Sequence, residues 1–131
     1  MVEFAVVSLL LTFFIYAIAA YGVILSAKDS FTHAATEGAR SALSVAETQT
    51  DAYKIQYAKD TVAQSLAWMG SNYNSSYTSA SIAPCVGDTT VNCITVTITY
   101  PYSTNPLIPK APGLGLITPN SLTSKAVVRL K

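Results

Sequence analysis

Two cysteines, one histidine and seven carboxylates are the side chains from which a reactive site in this 131-residue chain would have to be built. Cys85 and Cys93 flank seven residues that include a Val-Gly-Asp turn. That spacing suits a disulfide closing a strand-to-strand loop, a link that stabilises an exported domain by roughly 2–3 kcal/mol. Two cysteines without further ligands make a poor metal site, so no metal is expected. His33 sits among Ala and Thr. As a general base it would need a nucleophile and an orienting acid, and neither is near it in the sequence. Glu3, Asp29, Glu37, Glu47, Asp51, Asp60 and Asp88 are scattered without paired spacing. The chain carries no Gly-rich phosphate loop, haem-attachment motif or zinc-protease motif. The expectation is no catalytic residue, no cofactor and no enzymatic activity. Asn74-Ser75-Ser76 has the spacing of an N-glycosylation acceptor, which makes Asn74 a candidate modification site.

Composition points to what the chain does instead. Half of its residues are apolar and only 11% are charged, against about 25% in ordinary soluble proteins. Mean hydropathy is +0.36. A net charge of +1 gives no electrostatic reason to expect nucleic acid as a partner. The length allows one small domain plus an anchor.

The apolar excess is concentrated at the start. Phe4 to Ala27 is uncharged, and as a helix it extends roughly 36 Å, enough to cross a hydrocarbon core of about 30 Å. Its apolar residues cover every face, which means burial in lipid or in a protein bundle. Three readings compete. A cleavable secretory signal would need a basic flank and a shorter apolar core. A single-pass anchor would place Lys28 at one interface, on the cytoplasmic side by the positive-inside rule, leaving the cysteines in a reducing compartment. The third reading avoids that tension: a helix held in the membrane, then extracted and buried in the centre of a filament against copies of itself. Glu3 bears on this choice, because a carboxylate at the start of a membrane helix is costly unless it is paired or reaches the interface. It either pairs with the free α-amino group at Met1 of a neighbour or lies in the headgroup region. Gly22 and Ser26 form a small-xxx-small step that lets helix backbones approach closely. Phe4, Phe13 and Phe14, with Tyr16 and Tyr21, are read as lipid or helix-core packing in preference to an electron-conducting stack.

Beyond Lys28 the three-to-four periodicity continues to about residue 46, with Glu37 and Arg40 spaced for a surface ion pair. A break at Thr48–Asp51, with Asp51 as N-cap, opens a second amphipathic helix over 52–69. Ile55, Ala58, Val62, Leu66 and Met69 form its stripe and Gly70 its stop. The pattern then turns to period two, with strands at about 77–83, 93–100 and 125–130. Five of the six prolines lie between Pro101 and Pro119, marking an irregular loop. Leu107, Ile108, Leu114, Leu116 and Ile117 in that loop are candidates for lateral contact with neighbouring subunits. The expected fold is α+β: a long N-terminal hydrophobic helix over 1–46, then a head over 51–131 with a second helix, a three-stranded antiparallel sheet and one disulfide.

These segments resemble a known family. The opening MVEFAVVSLLL, the long apolar helix and the EGARSAL stretch at Glu37–Leu43 are similar to TadE-like pilins of tight-adherence type IV pili. CITVTITYPYSTNPLIP and SKAVVRLK look like that family's second signature. The resemblance implies a leader cleaved by a prepilin peptidase, residence in the cytoplasmic membrane, and assembly with identical subunits into an extracellular filament at the cell surface. The alternative it allows is a minor, membrane-anchored pseudopilin that primes a pilus or a secretion machine. It also implies that Glu3 coordinates a neighbour's N-terminal amine. Relatives usually carry this Glu two positions deeper, after a basic leader that is not seen here. Either Met1 is the mature start or the cleavage position is unusual.

Overall fold

The computed structural model describes residues 2–109 and 118–130. Helix α1 (Val2–Ser44) runs without a break for 43 residues, roughly 64 Å of axis. Helix α2 (Asp51–Ser65) follows a short turn. Two 3-10 segments, Ala67–Asn72 and Ser75–Tyr77, then lead into strands β1 (Thr78–Cys85), β2 (Asp88–Tyr100) and β3 (Leu122–Arg129). The strands form one antiparallel sheet in the order β1-β2-β3. This is the α+β arrangement the sequence predicts.

One face of the sheet carries both helices: α1 lies over β2 and β3, and α2 over β1. The alternation of β2 puts Ile94, Val96, Ile98 and Tyr100 into the interface, where all four are buried. From α1 come Ile24, Ala27, Phe31, Ala34, Ala35, Ala39 and Ala42, from α2 Ala58 and Val62, and from its C-cap Leu66. Most of the α1 contribution is alanine, so its backbone sits close to its neighbours. Phe31 is the large exception; it is fully buried, with its ring 5.5 Å from that of Tyr100. Burying a side chain of that size contributes about 1.5–3 kcal/mol.

Element ends depart from the sequence reading for local reasons. Thr50, not Asp51, is the N-cap of α2: its backbone is extended and its hydroxyl accepts from the Tyr53 amide. Asp51 is instead the first helical residue, where its charge complements the helix N-terminus. The α-helix stops at Ser65, and the last part of the predicted stripe stays buried, Leu66 as the cap residue and Met69 in tighter 3-10 geometry. Gly70, at φ 56°, then turns the chain. Strand β2 starts five residues before the predicted position, because Val86 and Gly87 (φ 95°) make a two-residue turn that pairs Cys85 with Asp88. Strand β3 also starts earlier. There the inward position belongs to a polar residue, Ser124, whose hydroxyl lies 3.2 Å from that of Thr32 on α1, and this hides the apolar alternation. Glu37 and Arg40 do not form the expected pair. The ion pairs among the described residues are Asp29–His33 at 3.7 Å and Asp88–Arg129 at 3.6 Å, all exposed.

Candidate assembly surface

Along α1 the environment changes at one level. From Glu3 to Ile15 every side chain is exposed, Tyr16 and Ala17 are half-buried, and the first buried residue is Ala20. From Ala20 onward the inward positions fall at steps of three and four, so the second half of the helix is an ordinary amphipathic element of the head. Among the described residues, the apolar side chains from Phe4 to Ile15 stay exposed. By length and composition α1 as a whole, from Glu3 to Ser44, is long and apolar enough to cross a membrane. Phe4 is 80% exposed and Ile18 73%.

Two hydroxyls in this half bond to backbone carbonyls. The Thr12 hydroxyl donates to the Ser8 carbonyl at 2.8 Å, and Tyr16 donates its hydroxyl proton to the carbonyl of Pro109. Glu3 is exposed in the first turn, where its charge complements the helix N-terminus. Its expected partner, Met1, lies outside the described residues.

Gly22 and Ser26 are both exposed. A Cβ placed on Gly22 would meet nothing within 4 Å, so the bare backbone there faces outward and serves no packing inside the subunit. Beside it, Gly22, Val23, Ser26 and Ala27 form one wall of a cleft of about 390 Å³, closed opposite by Trp68, Met69, Asn72 and Leu107. Phe13 and Phe4 lie along one flank of the exposed half with Ser8 and Thr12, and Phe14 lies along another with Ile18 and Leu25. The described ring pairs lie in the head: Phe31–Tyr100, Tyr53–Tyr57 and Tyr77–Tyr100.

The remaining predicted positions are dispersed. Cys85 and Cys93 form the expected disulfide, with Cα atoms 5.0 Å apart, at the tip of the β1–β2 hairpin. Leu107 is half-buried and packs on the head's own core, and Ile108 is half-buried beside Tyr16 and Tyr102. Leu114, Leu116 and Ile117 lie outside the described residues. Asn74 is exposed, and its side chain accepts from the Ser76 amide at 2.9 Å, capping the 3-10 turn. His33 is exposed and pairs only with Asp29. Among the described residues no three His, Cys, Asp or Glu side chains gather into a cluster.

Two positions escaped sequence reasoning. Gly38, inside the EGARSAL stretch, lies where α2 leaves no room for a Cβ on α1. Trp68, the one tryptophan, is 59% exposed beside α1 at the level where the helix leaves the head. A glycine in a helical run and a tryptophan near a helix end were the available signals, and neither reveals which surface it meets.

Residues 1–40 match the model of a protein family described as TadE-like protein. The matched stretch contains the whole exposed half of α1 and Gly38; the strand segments that resemble the family's second signature lie beyond it. No curated protein and no solved structure matches this chain.

Proposed function

We propose that this chain is a non-enzymatic structural subunit of a type IV pilus-like filament, held in the cytoplasmic membrane by the first half of α1 and assembled by burying that half among copies of itself. The TadE-like match together with an apolar N-terminal helix suggests membrane anchoring and association with a Tad pilus. The observation that carries the finer reading is the division of a single unbroken helix. From Ala20 its inward face is buried in the head, while before Tyr16 it is apolar all round and uncovered. An apolar helix whose side chains stay exposed among the described residues requires lipid or other protein around it.

In water each large apolar side chain withdrawn would contribute about 1.5–3 kcal/mol. Measured from the membrane, only packing and hydrogen bonding drive association, so close approach at small residues is decisive. Gly22 and Ser26 supply it. On this reading Glu3 answers the N-terminal amine of a neighbouring subunit and sets the axial stagger. A prepilin peptidase and the pilus assembly machinery act on the chain before export.

Negative-stain imaging of the purified full chain tests the proposal. Homopolymeric fibres are expected, and Glu3→Gln should reduce their yield while leaving the fold of the head unchanged. A preparation that stays monomeric or oligomeric without fibres would replace the filament subunit with a membrane-anchored accessory.

A further inference from the structure

Trp68 is a large ring left 59% exposed on the head; Tyr53 and Tyr57, the other exposed rings of the head, stack on each other along α2, whereas Trp68 lies beside α1. Its position along α1 gives the exposure a meaning. The cleft it closes is walled by Gly22, Val23, Ser26 and Ala27. Counting from Phe4 to that level gives roughly 27–34 Å of helix, close to the thickness of a hydrocarbon core of about 30 Å. Trp68 therefore stands where a bilayer spanned by the uncharged run of α1 that begins at Phe4 would end. Tryptophan and tyrosine favour that zone, since the ring body is apolar and its polar tip reaches water and headgroups.

The rest of the head's underside fits the same layer. The chain descends from Leu107, at the level of the cleft, to Pro109, whose carbonyl receives the Tyr16 hydroxyl proton about two to three turns lower on α1. Proline has no N–H to satisfy, and a carbonyl entering an apolar zone needs a donor. Among the described residues no charged side chain walls either this descent or the Trp68 cleft; Ser103, Thr118 and Asn120 are the polar ones at the descent. Lys28 and Asp29, the first charges after Glu3, are exposed just above.

From this we infer that, before assembly, the underside of the head is an interfacial membrane-binding surface. Trp68 and Leu107 seat in the headgroup layer of the bilayer that α1 spans, and Pro109 reaches below them to the level of Tyr16. The inference rests on the membrane-held state proposed above and adds a second contact. The head does not swing freely on its helix; it rests on the lipid surface at a fixed height. Extraction into a filament must then strip Trp68 from lipid as well as withdraw the helix.

Because the chain has a single tryptophan, its own fluorescence reads this contact. The full chain is reconstituted in phosphatidylethanolamine/phosphatidylglycerol vesicles, checked by flotation, and challenged with lipids spin-labelled near the headgroup or near the acyl-chain end. Aqueous iodide is added in parallel. The expected result is blue-shifted emission, quenching stronger by the shallow label than by the deep one, partial protection from iodide, and no change on dilution with excess lipid. A Val127→Trp reporter in a Trp68→Phe background, on the outer face of the sheet, should instead read as aqueous.

If the chain floats while Trp68 emits as in water, the surface contact is overturned and the anchored helix stands. A blue shift that vanishes on dilution with lipid, without quenching by the labels, means that a second copy covers Trp68, and also overturns it. Equal lipid quenching at positions 68 and 127 overturns a defined underside. Failure to float overturns the membrane-held state itself.

Discussion

Gly38 of α1 faces Val62 of α2 so closely that a Cβ on the glycine would stand 2.5 Å from the valine Cγ2 and 2.9 Å from the carbonyl oxygen of Ala58. The second contact is with backbone, which cannot rotate away. Gly38→Ala must therefore push the helices apart and loosen the core from Phe31 to Leu66. Overpacking of this kind costs typically 1–3 kcal/mol, and the improved helix propensity returns less than 1 kcal/mol. Denaturant unfolding of the full chain in detergent, followed by near-ultraviolet circular dichroism, should show a lowered midpoint. Unchanged stability would mean that the crossing is looser than this geometry.

The Cys85–Cys93 link ties the hairpin tip, where a two-residue turn and an irregular register leave few other constraints. Its closed loop is short, so reduction should cost about 2–3 kcal/mol on the loop-entropy estimate. Cys85→Ser/Cys93→Ser should show the same loss, with the sheet and both helices retained in far-ultraviolet spectra. Because the link lies far from the exposed half of α1, fibres formed at low temperature should survive reduction. Fibres that dissolve on reduction under those conditions would give the hairpin a role in assembly.

Tyr100 offers a pH test. Burial first, and then the neighbouring Tyr77 and Tyr102, raise its hydroxyl pKa above the ordinary value. The folded pKa is thus higher than the unfolded one, near 10. The stabilising contribution is fully present below that unfolded value and is lost as pH rises through the folded one. Tyr100→Phe should cost about 1 kcal/mol at neutral pH, by removing the hydrogen bond donated to the Asn105 carbonyl at 2.8 Å. It should also flatten the loss of stability above pH about 10, leaving the share that belongs to Tyr102, which burial shifts in the same direction. Parallel alkaline unfolding curves for the two proteins would show that Tyr100 does not carry the effect.

Much of this was legible in the residues because one period held over a long stretch. The uncharged run from Phe4 to Ala27 could only be a helix, and Cys93–Tyr100 alternated cleanly because one face of β2 is wholly core. Legibility failed where the inward residue was polar or small. Ser124 is buried because Thr32 answers its hydroxyl, a pairing across 92 positions that no local pattern announces. Gly38 looked like one more small residue until α2 was placed against it. At the candidate assembly surface, the apolar character of Phe4, Phe13 and Phe14 was evident, whereas the level at which α1 emerges depends on where the sheet and loop sit. That level made Trp68 informative, and it is a property of the fold as a whole.

The two glycines of α1 separate folding from assembly. Gly38 is enclosed, but Gly22 lies on the open side of the helix, where an added side chain has nothing within 4 Å to strike. Gly22→Leu should therefore leave the isolated subunit at least as stable as the parent, since leucine is the better helix former by about 0.8 kcal/mol. In a filament the same position must accept another helix. A leucine there would hold two backbones apart over the small-xxx-small step with Ser26 and remove the close packing on which association in lipid depends. The expected outcome is an unchanged or raised unfolding midpoint in detergent, together with weakened or absent fibres in negative stain. Fibres of normal yield from Gly22→Leu would show that helices do not meet closely at this point, and the small residues of α1 would need another explanation.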